Sequence, residues 1–246
     1  MRIAVFGATG RIGTRLIEAI LARPDLQLAA AHVSSTSAWL GRSVAGTVVE
    51  YRPAEAAINA HCDAIIDFST PEASLQLQEV VGTRPVPIVI GTTGFSDAQL
   101  ATLEAAAKLR PVMIGANFAL GFGAFAASAY RFAEMHPSAL VTIDETYHQR
   151  KKRVASGTSL QLAHGIRAAQ GKAAADIAPE PDIRVHRLAD TVGINRVQFD
   201  LGVSLASFTF TVDTLAAYAE GALGAALWLA TEARRPGLYS PSDMWS

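Results

Sequence analysis

A single cysteine, Cys62, is all the thiol that the 246 residues carry. One thiol excludes an intramolecular disulfide and any zinc site built from several thiolates, so no metal is expected, and a reducing, cytoplasmic setting is. An excess of one charge is missing too. The 21 Lys and Arg stand against 22 Asp and Glu, a net charge of −1, and this removes any overall pull toward nucleic acid or an acidic membrane. No apolar run reaches the roughly 20 residues that a membrane helix needs, and the longest, near residues 222 to 230, reads as a core helix. The opening Met1-Arg2-Ile3-Ala4-Val5-Phe6 runs straight into a glycine loop, which leaves no room for a removable signal sequence. Aromatic residues are only 7% of the chain, yet 50% of it is hydrophobic, enough to bury a sizeable core in one large domain or two modest ones.

What is present alternates. Residues 2 to 6 read as a buried strand, 11 to 22 as a helix and 27 to 33 as a second strand, a βαβ opening. Strands at 64 to 68, 86 to 90 and 111 to 114, with helices at 72 to 81 and 97 to 109, continue an α/β parallel sheet. After Phe118 the pattern changes to a helix at 123 to 135, a strand at 140 to 145, a basic loop, a helix at 156 to 170 and three strands at 183 to 188, 196 to 201 and 205 to 212. A helix at 215 to 231 closes the chain. The run of strands predicts a second, smaller α+β domain.

Chemistry concentrates in two places. Gly7-Ala8-Thr9-Gly10-Arg11-Ile12-Gly13 follows a strand and opens a helix, so backbone N–H groups and the helix dipole can meet a pyrophosphate. The tip of the second strand, His32-Val33-Ser34-Ser35-Thr36, lacks the acid that NAD-preferring sites place on the ribose. Hydroxyls there, with Arg11 or Arg42 for charge, predict NADPH as the cofactor, with NADH also admitted.

The second concentration is Glu145-Thr146-Tyr147-His148-Gln149-Arg150-Lys151-Lys152-Arg153-Val154-Ala155-Ser156-Gly157-Thr158. Ser156, Gly157 and Thr158 at a helix start offer N–H groups and hydroxyls to a carboxylate beside Lys151 and His148, so a small anionic substrate is expected. Tyr147 and Lys151 also spell Tyr-x-x-x-Lys, in which an ammonium helps a phenol give its proton to a carbonyl or imine; on a helix, that spacing would align the two side chains. His32, His61, His136, His164 and His186 lie outside any cluster and default to structural roles.

Nearly end to end, these pieces resemble the dihydrodipicolinate reductases. The glycine loop stands for that family's pyrophosphate loop, Asp67-Phe68-Ser69 and Gly91-Thr92-Thr93-Gly94-Phe95 for its middle cofactor contacts, Ala116-Asn117-Phe118 for its nicotinamide-side segment, and Gly221-Ala222-Leu223 with Trp228-Leu229 for its closing helix. The family's Glu-x-His-His-x-x-Lys appears with Tyr147 at the first histidine, while His148 and Lys151 are kept. Its Gly-x-His appears as Gly193-Ile194-Asn195, its Asp-Ala-Pro as Arg153-Val154-Ala155, and its Ser-Arg pair as Thr214-Leu215. The resemblance implies a dinucleotide-binding domain at 1–117 plus 215–246, a substrate-binding and oligomerisation domain at 118–214, and a homotetramer. It also implies NAD(P)H-dependent reduction of a cyclic imine carboxylate, with a substrate altered by the loss of the arginine. Two alternatives stand beside it: a short-chain-type carbonyl reductase using Tyr147 and Lys151 on a helix, and a catalytically silent NADPH-binding protein.

Overall fold

The computed structural model describes residues 1–54, 61–171, 178–231 and 234–245. The chain divides into two compact units, Met1–Ala119 with Leu215–Ser246, and Leu120–Thr214.

The first unit is built on seven strands: β1 (Arg2–Phe6), β2 (Gln27–His32), β3 (Tyr51–Arg52), β4 (Ala64–Asp67), β5 (Ile88–Ile90), β6 (Pro111–Ile114) and β11 (Gly237–Tyr239). Their order is β11-β6-β5-β4-β1-β2-β3, with every pairing parallel. Strand order reverses between β1 and β4, the switch point where a doubly wound sheet binds its ligand. Near-continuous apolar strands fit a sheet covered on both faces: Ile3, Val5, Ile66, Ile88, Val89 and Ile90 have no exposed surface.

Helices α1 (Arg11–Leu21), α2 (Pro71–Val81), α3 (Asp97–Ala107) and α6 (Ala216–Thr231) belong to this unit. Local chemistry sets their ends. Thr70 accepts the Ala73 N–H to cap α2, Pro71 follows at the first turn, and Ser96 with Gln99 closes a capping box on α3. In α6 the buried face is Ala219, Ala222, Leu223, Ala225, Ala226 and Leu229, mostly small side chains, and it joins the core cluster that includes Leu16, Ile17 and Ile20 of α1.

The second unit holds α4 (Phe122–Met135), β7 (Leu140–Tyr147), α5 (Gly157–Gln170), β8 (Asp182–Arg187), β9 (Gly193–Asp200) and β10 (Leu205–Val212). Its mixed sheet runs β10-β9-β7-β8. The β7–β8 pair is parallel, with α5 in the crossover, and the other two pairs are antiparallel. Val141, Ile143, Val197 and Phe199 are buried on one sheet face, where Phe132 packs on Phe199 and Phe208, and Phe122 on Phe210. Arg196, Ser207, Thr209 and Thr211 on the alternate positions are exposed.

Two elements run further than the sequence predicts. Strand β7 continues past Glu145 through Thr146 and Tyr147, whose partners are Ile194 and, on β8, Arg187; β9 starts at Gly193 because that antiparallel ladder extends with it. Tyr147 is therefore a strand residue, which overturns the helical alignment of Tyr147 with Lys151 on which the short-chain-type alternative depended.

Candidate active site

In the first unit the glycine loop turns at the carboxyl end of β1. Gly7 has φ 71° and its carbonyl accepts the Gly10 N–H at 2.8 Å, while the Ala8 N–H reaches the His32 carbonyl at 2.9 Å. A Cβ at Gly7 would strike the Phe68 backbone, and one at Gly13 would strike the Gly7 carbonyl and Ala8; only glycine permits this approach of strand and helix. Helix α1 opens on Gly10 with no side-chain cap and no acid in its first turn, whereas α2 and α3 carry both. With no side chain capping it, this helix start suits an anion.

Beside this loop lies a cavity of about 540 Å³, walled by Gly7, Thr9, Gly10, Ser34, Ser35 and Phe68 among others. Ser34 shares its hydroxyl with Thr36 at 3.0 Å. Neither Arg11 nor Arg42 is in the wall; Arg42 stacks its guanidinium 5.5 Å from the Trp39 ring. His32, which sequence reasoning left as structural, is in the wall. Burial lowers its pKa to about 4, against backbone hydrogen bonds that would raise it, and its ring lies 4.0 Å from that of Phe6. The signal for it was its place at a strand tip.

Around the neighbouring tips, Gly91 lets the Phe68 ring lie flush on the chain, since a Cβ there would overlap it. Phe68 meets Phe118 edge-on at 6.1 Å. Thr92 accepts the Ser69 N–H at 3.0 Å, and Thr93 follows it, exposed. Asp67, fully buried, is raised in pKa by burial, opposed by hydrogen bonds from Ser69 and Ser74. Asn117 accepts the Ala119 N–H at 2.8 Å, yet its buried Nδ2 has no partner among the described residues. This orphaned donor, one residue after Ala116 and one before Phe118, fits a polar group arriving with a cofactor.

In the second unit, Tyr147 ends β7 and His148 begins a turn in which the Lys151 N–H reaches the His148 carbonyl at 3.1 Å. That turn folds Lys151 back, with Nζ 3.3 Å above the centre of the Tyr147 ring. The Tyr147 hydroxyl accepts a hydrogen bond from Asn195 Nδ2 at 3.4 Å.

Beneath the basic loop sits a buried ion pair that the sequence did not disclose. Arg187 Nη2 is 2.9 Å from Glu145 Oε1, with 1% and 0% of the two side chains exposed. The same guanidinium donates to the carbonyls of Lys151, Lys152 and Val154 at 2.6 to 3.2 Å. The other Glu145 oxygen accepts the Ser156 N–H at 2.8 Å and the Ser159 hydroxyl at 2.5 Å. Burial alone would raise this carboxyl, but the hydrogen bonds from Ser156, Ser159 and Arg187 outweigh it and hold the pKa below the ordinary value. Ser156 is consumed as the cap of α5, its hydroxyl accepting the Ser159 N–H. Gly157 and Thr158 form the first turn, which carries no acid. One ion pair thus ties the backbone of Lys151 to the start of α5.

Among the described residues no group of three or more His, Cys, Asp or Glu is placed to hold a metal, and no helix is long and apolar enough to cross a membrane.

Comparison with known proteins follows the same division. The family model described as "Dihydrodipicolinate reductase, N-terminus" matches residues 1–118, and "Dihydrodipicolinate reductase, C-terminus" matches residues 121–245. The 4-hydroxy-tetrahydrodipicolinate reductase of Sulfurimonas denitrificans is 30% identical over 256 residues, covering 99% of this chain and 98% of the relative. That of Hahella chejuensis is 32% identical over 266 residues, with the same coverage. Among solved structures, a dipicolinate-bound dihydrodipicolinate reductase from Paenisporosarcina sp. TG-14 shares the fold, with a TM-score of 0.78 and 20% identity over 98% of this chain and 97% of that one.

Proposed function

This chain belongs to the dihydrodipicolinate reductase family and is an NAD(P)H-dependent reductase, and from that premise we propose that it reduces the C=N bond of a cyclic imine bearing a single carboxylate next to the nitrogen-bearing carbon. The observation that carries the proposal is the Glu145–Arg187 pair, which holds the backbone carbonyl of Lys151 on one side and the Ser156 N–H at the start of α5 on the other. An ammonium beside the first amides of a helix is a carboxylate site. Lys151 and the N–H groups of Gly157 and Thr158 hold the carboxylate, Ser156 caps the helix so that they face it, and His148 adds a further donor. Leu215 stands where the resemblance places an arginine, so a second carboxylate has no cation at that position.

Residues 1–117 with 215–246 form the dinucleotide-binding domain in this reading, and 118–214 the substrate domain. The Gly7 to Gly13 loop and α1 hold the pyrophosphate; Ala8, Thr9, Arg11 and Ile12 belong to that turn. Ser34 meets the ribose, and Phe68, Gly91, Thr92, Thr93, Ala116, Asn117 and Phe118 surround the rest. When bound, the reduced nicotinamide supplies the hydride that goes to the imine carbon. The chain itself must supply the proton that goes to nitrogen, and Tyr147 is its source, because an amide N–H occupies its oxygen and leaves its own hydrogen for the substrate. The enzyme works in the cytoplasm as a homotetramer joined through the open faces of its four-stranded sheets.

The test follows NADPH oxidation with 1-piperideine-2-carboxylate as the monocarboxylic substrate. Lys151→Ala loses a charge-assisted contact of roughly 1.5 to 3 kcal/mol, so KM rises at least about tenfold while NADPH affinity stays unchanged. Tyr147→Phe slows turnover about 100-fold. Full turnover in Tyr147→Phe with none in His148→Gln moves the donor to His148. No oxidation of NADPH with this substrate or with a dicarboxylic cyclic imine would return the chain to a silent cofactor binder.

A further inference from the structure

Asn195 is fully buried on β9, directly opposite Glu145 of β7 in the antiparallel ladder. Its amide is half used. Nδ2 donates to the Tyr147 hydroxyl, while Oδ1 is buried without a partner among the described residues. Glu145 across the ladder is spent on Arg187, Ser156 and Ser159, and therefore neither competes for the amide nor completes it. A buried amide that leaves its acceptor unsatisfied is a poor structural element. Its presence calls for a compensating role, and the bond it makes supplies one.

The Tyr147 phenol has two neighbours that favour negative charge on it, one at its oxygen and one over its ring. Asn195 Nδ2 lies 3.4 Å from the oxygen, and the Lys151 ammonium lies 3.3 Å over the ring that carries it. An N–H directed at oxygen fills one of its lone pairs, turns the hydroxyl hydrogen away from β9, and strengthens as that hydrogen leaves.

Resting on the reading of Tyr147 as the proton donor, we propose that Asn195 is a positioning residue for the reduction: its side-chain amide holds the Tyr147 oxygen so that the hydroxyl hydrogen faces the substrate nitrogen, and it stabilises the phenolate left after transfer. In that step the Tyr147 O–H bond breaks and an N–H bond forms on the substrate. The hydride from the reduced cofactor forms the C–H bond, the cofactor is oxidised, and the phenolate takes a proton back from solvent.

The experiment is a double-mutant cycle on the intact enzyme with NADPH and 1-piperideine-2-carboxylate. Asn195→Ala is expected to lower kcat about 10- to 100-fold with KM changed less than about twofold. Asn195→Asp, which keeps the shape but replaces the donor with an acceptor, falls at least as far, while Asn195→His, whose ring N–H can reach the same oxygen, recovers part of the rate. In the Tyr147→Phe background, Asn195→Ala costs nothing further, because the hydroxyl it served is gone. If Tyr147→Phe is slow while Asn195→Ala turns over normally, Asn195 has no part in the reaction and only this inference falls. Multiplying losses in the double variant mean that Asn195 acts on something other than Tyr147, which also overturns it. Normal turnover in Tyr147→Phe sinks the donor reading and this inference together. Should Asn195→Ala not fold, as judged by its melting transition, the Asn195→Asp and Asn195→His pair decides on the same criteria.

Discussion

Ser34 and Ser35 at the tip of β2 decide how much a 2′-phosphate matters. The tip itself carries no carboxylate, and among the described residues the cavity wall carries one acid, Glu72, and no lysine or arginine. His32 cannot supply the charge, since with its pKa near 4 it is neutral at physiological pH. Hydroxyl contacts alone give NADPH a small advantage, each about 0.5 to 1.5 kcal/mol. Fluorescence titration is expected to find NADPH tighter than NADH, by roughly 2- to 13-fold for each such contact. NADH binding tenfold tighter than NADPH would show that these serines do not face the ribose. A preference well beyond roughly 100-fold would require a cation, for which Arg11 and Arg42 are the candidates.

At the scale of elements, the Glu145–Arg187 pair joins β7, β8, the basic loop and α5. Removing one partner strands a buried charge, so Arg187→Met is expected to cost about 3 to 5 kcal/mol in denaturant unfolding. Adding Glu145→Gln should recover part of that loss, because the orphaned carboxylate is gone. Acid acts on the same joint. A carboxyl held below its ordinary value contributes fully above about pH 4.3, and its contribution is lost as pH falls through the lower folded-state pKa. Hydrogen exchange at the amides of 151 to 159 should accelerate over that acid range in the native enzyme and at neutral pH in Arg187→Met. Equal protection in both would remove the pair from its role as the fastener.

The same scale shows what could be read beforehand. The β1–α1–β2 opening, the caps at Thr70 and Ser96 and the basic loop are local: period, cap and composition sit within a few residues of each other. β3 and β11, two and three residues long, carry no period to detect, and only their partners make them strands. Tyr147 was singled out, but its place in a strand depends on a ladder to residues 187 and 194. Arg187 is not legible in the sequence, and Glu145 and Asn195 stand in the quoted motifs without a role, because their meaning lies in contacts 42 and 48 residues apart.

For the whole molecule, the open face of the second sheet sets the expected assembly. Identical polar faces bearing Arg196, Ser207, Thr209 and Thr211 can pair about a two-fold axis, and the proposed tetramer needs a second two-fold through another surface. Light scattering should return the mass of four chains, and charge-reversing Arg196→Glu, placed on that face, should shift the mass toward dimer or monomer. A single-chain mass in the unaltered protein would reject the assembly.

Chain connectivity also carries a consequence for synthesis. The first unit leaves its sheet at Ala119 and is completed only from Leu215 onward, where α6 covers apolar residues of α1 and β11 takes the edge beside β6. A ribosome delivers residues amino end first. The nucleotide domain therefore waits, with the face of α1 uncovered and β6 as a bare edge, while the whole of the second domain emerges. The inserted domain has every strand of its sheet within residues 120 to 214, so its sheet is complete in sequence before the domain that starts the chain has its last helix and last strand.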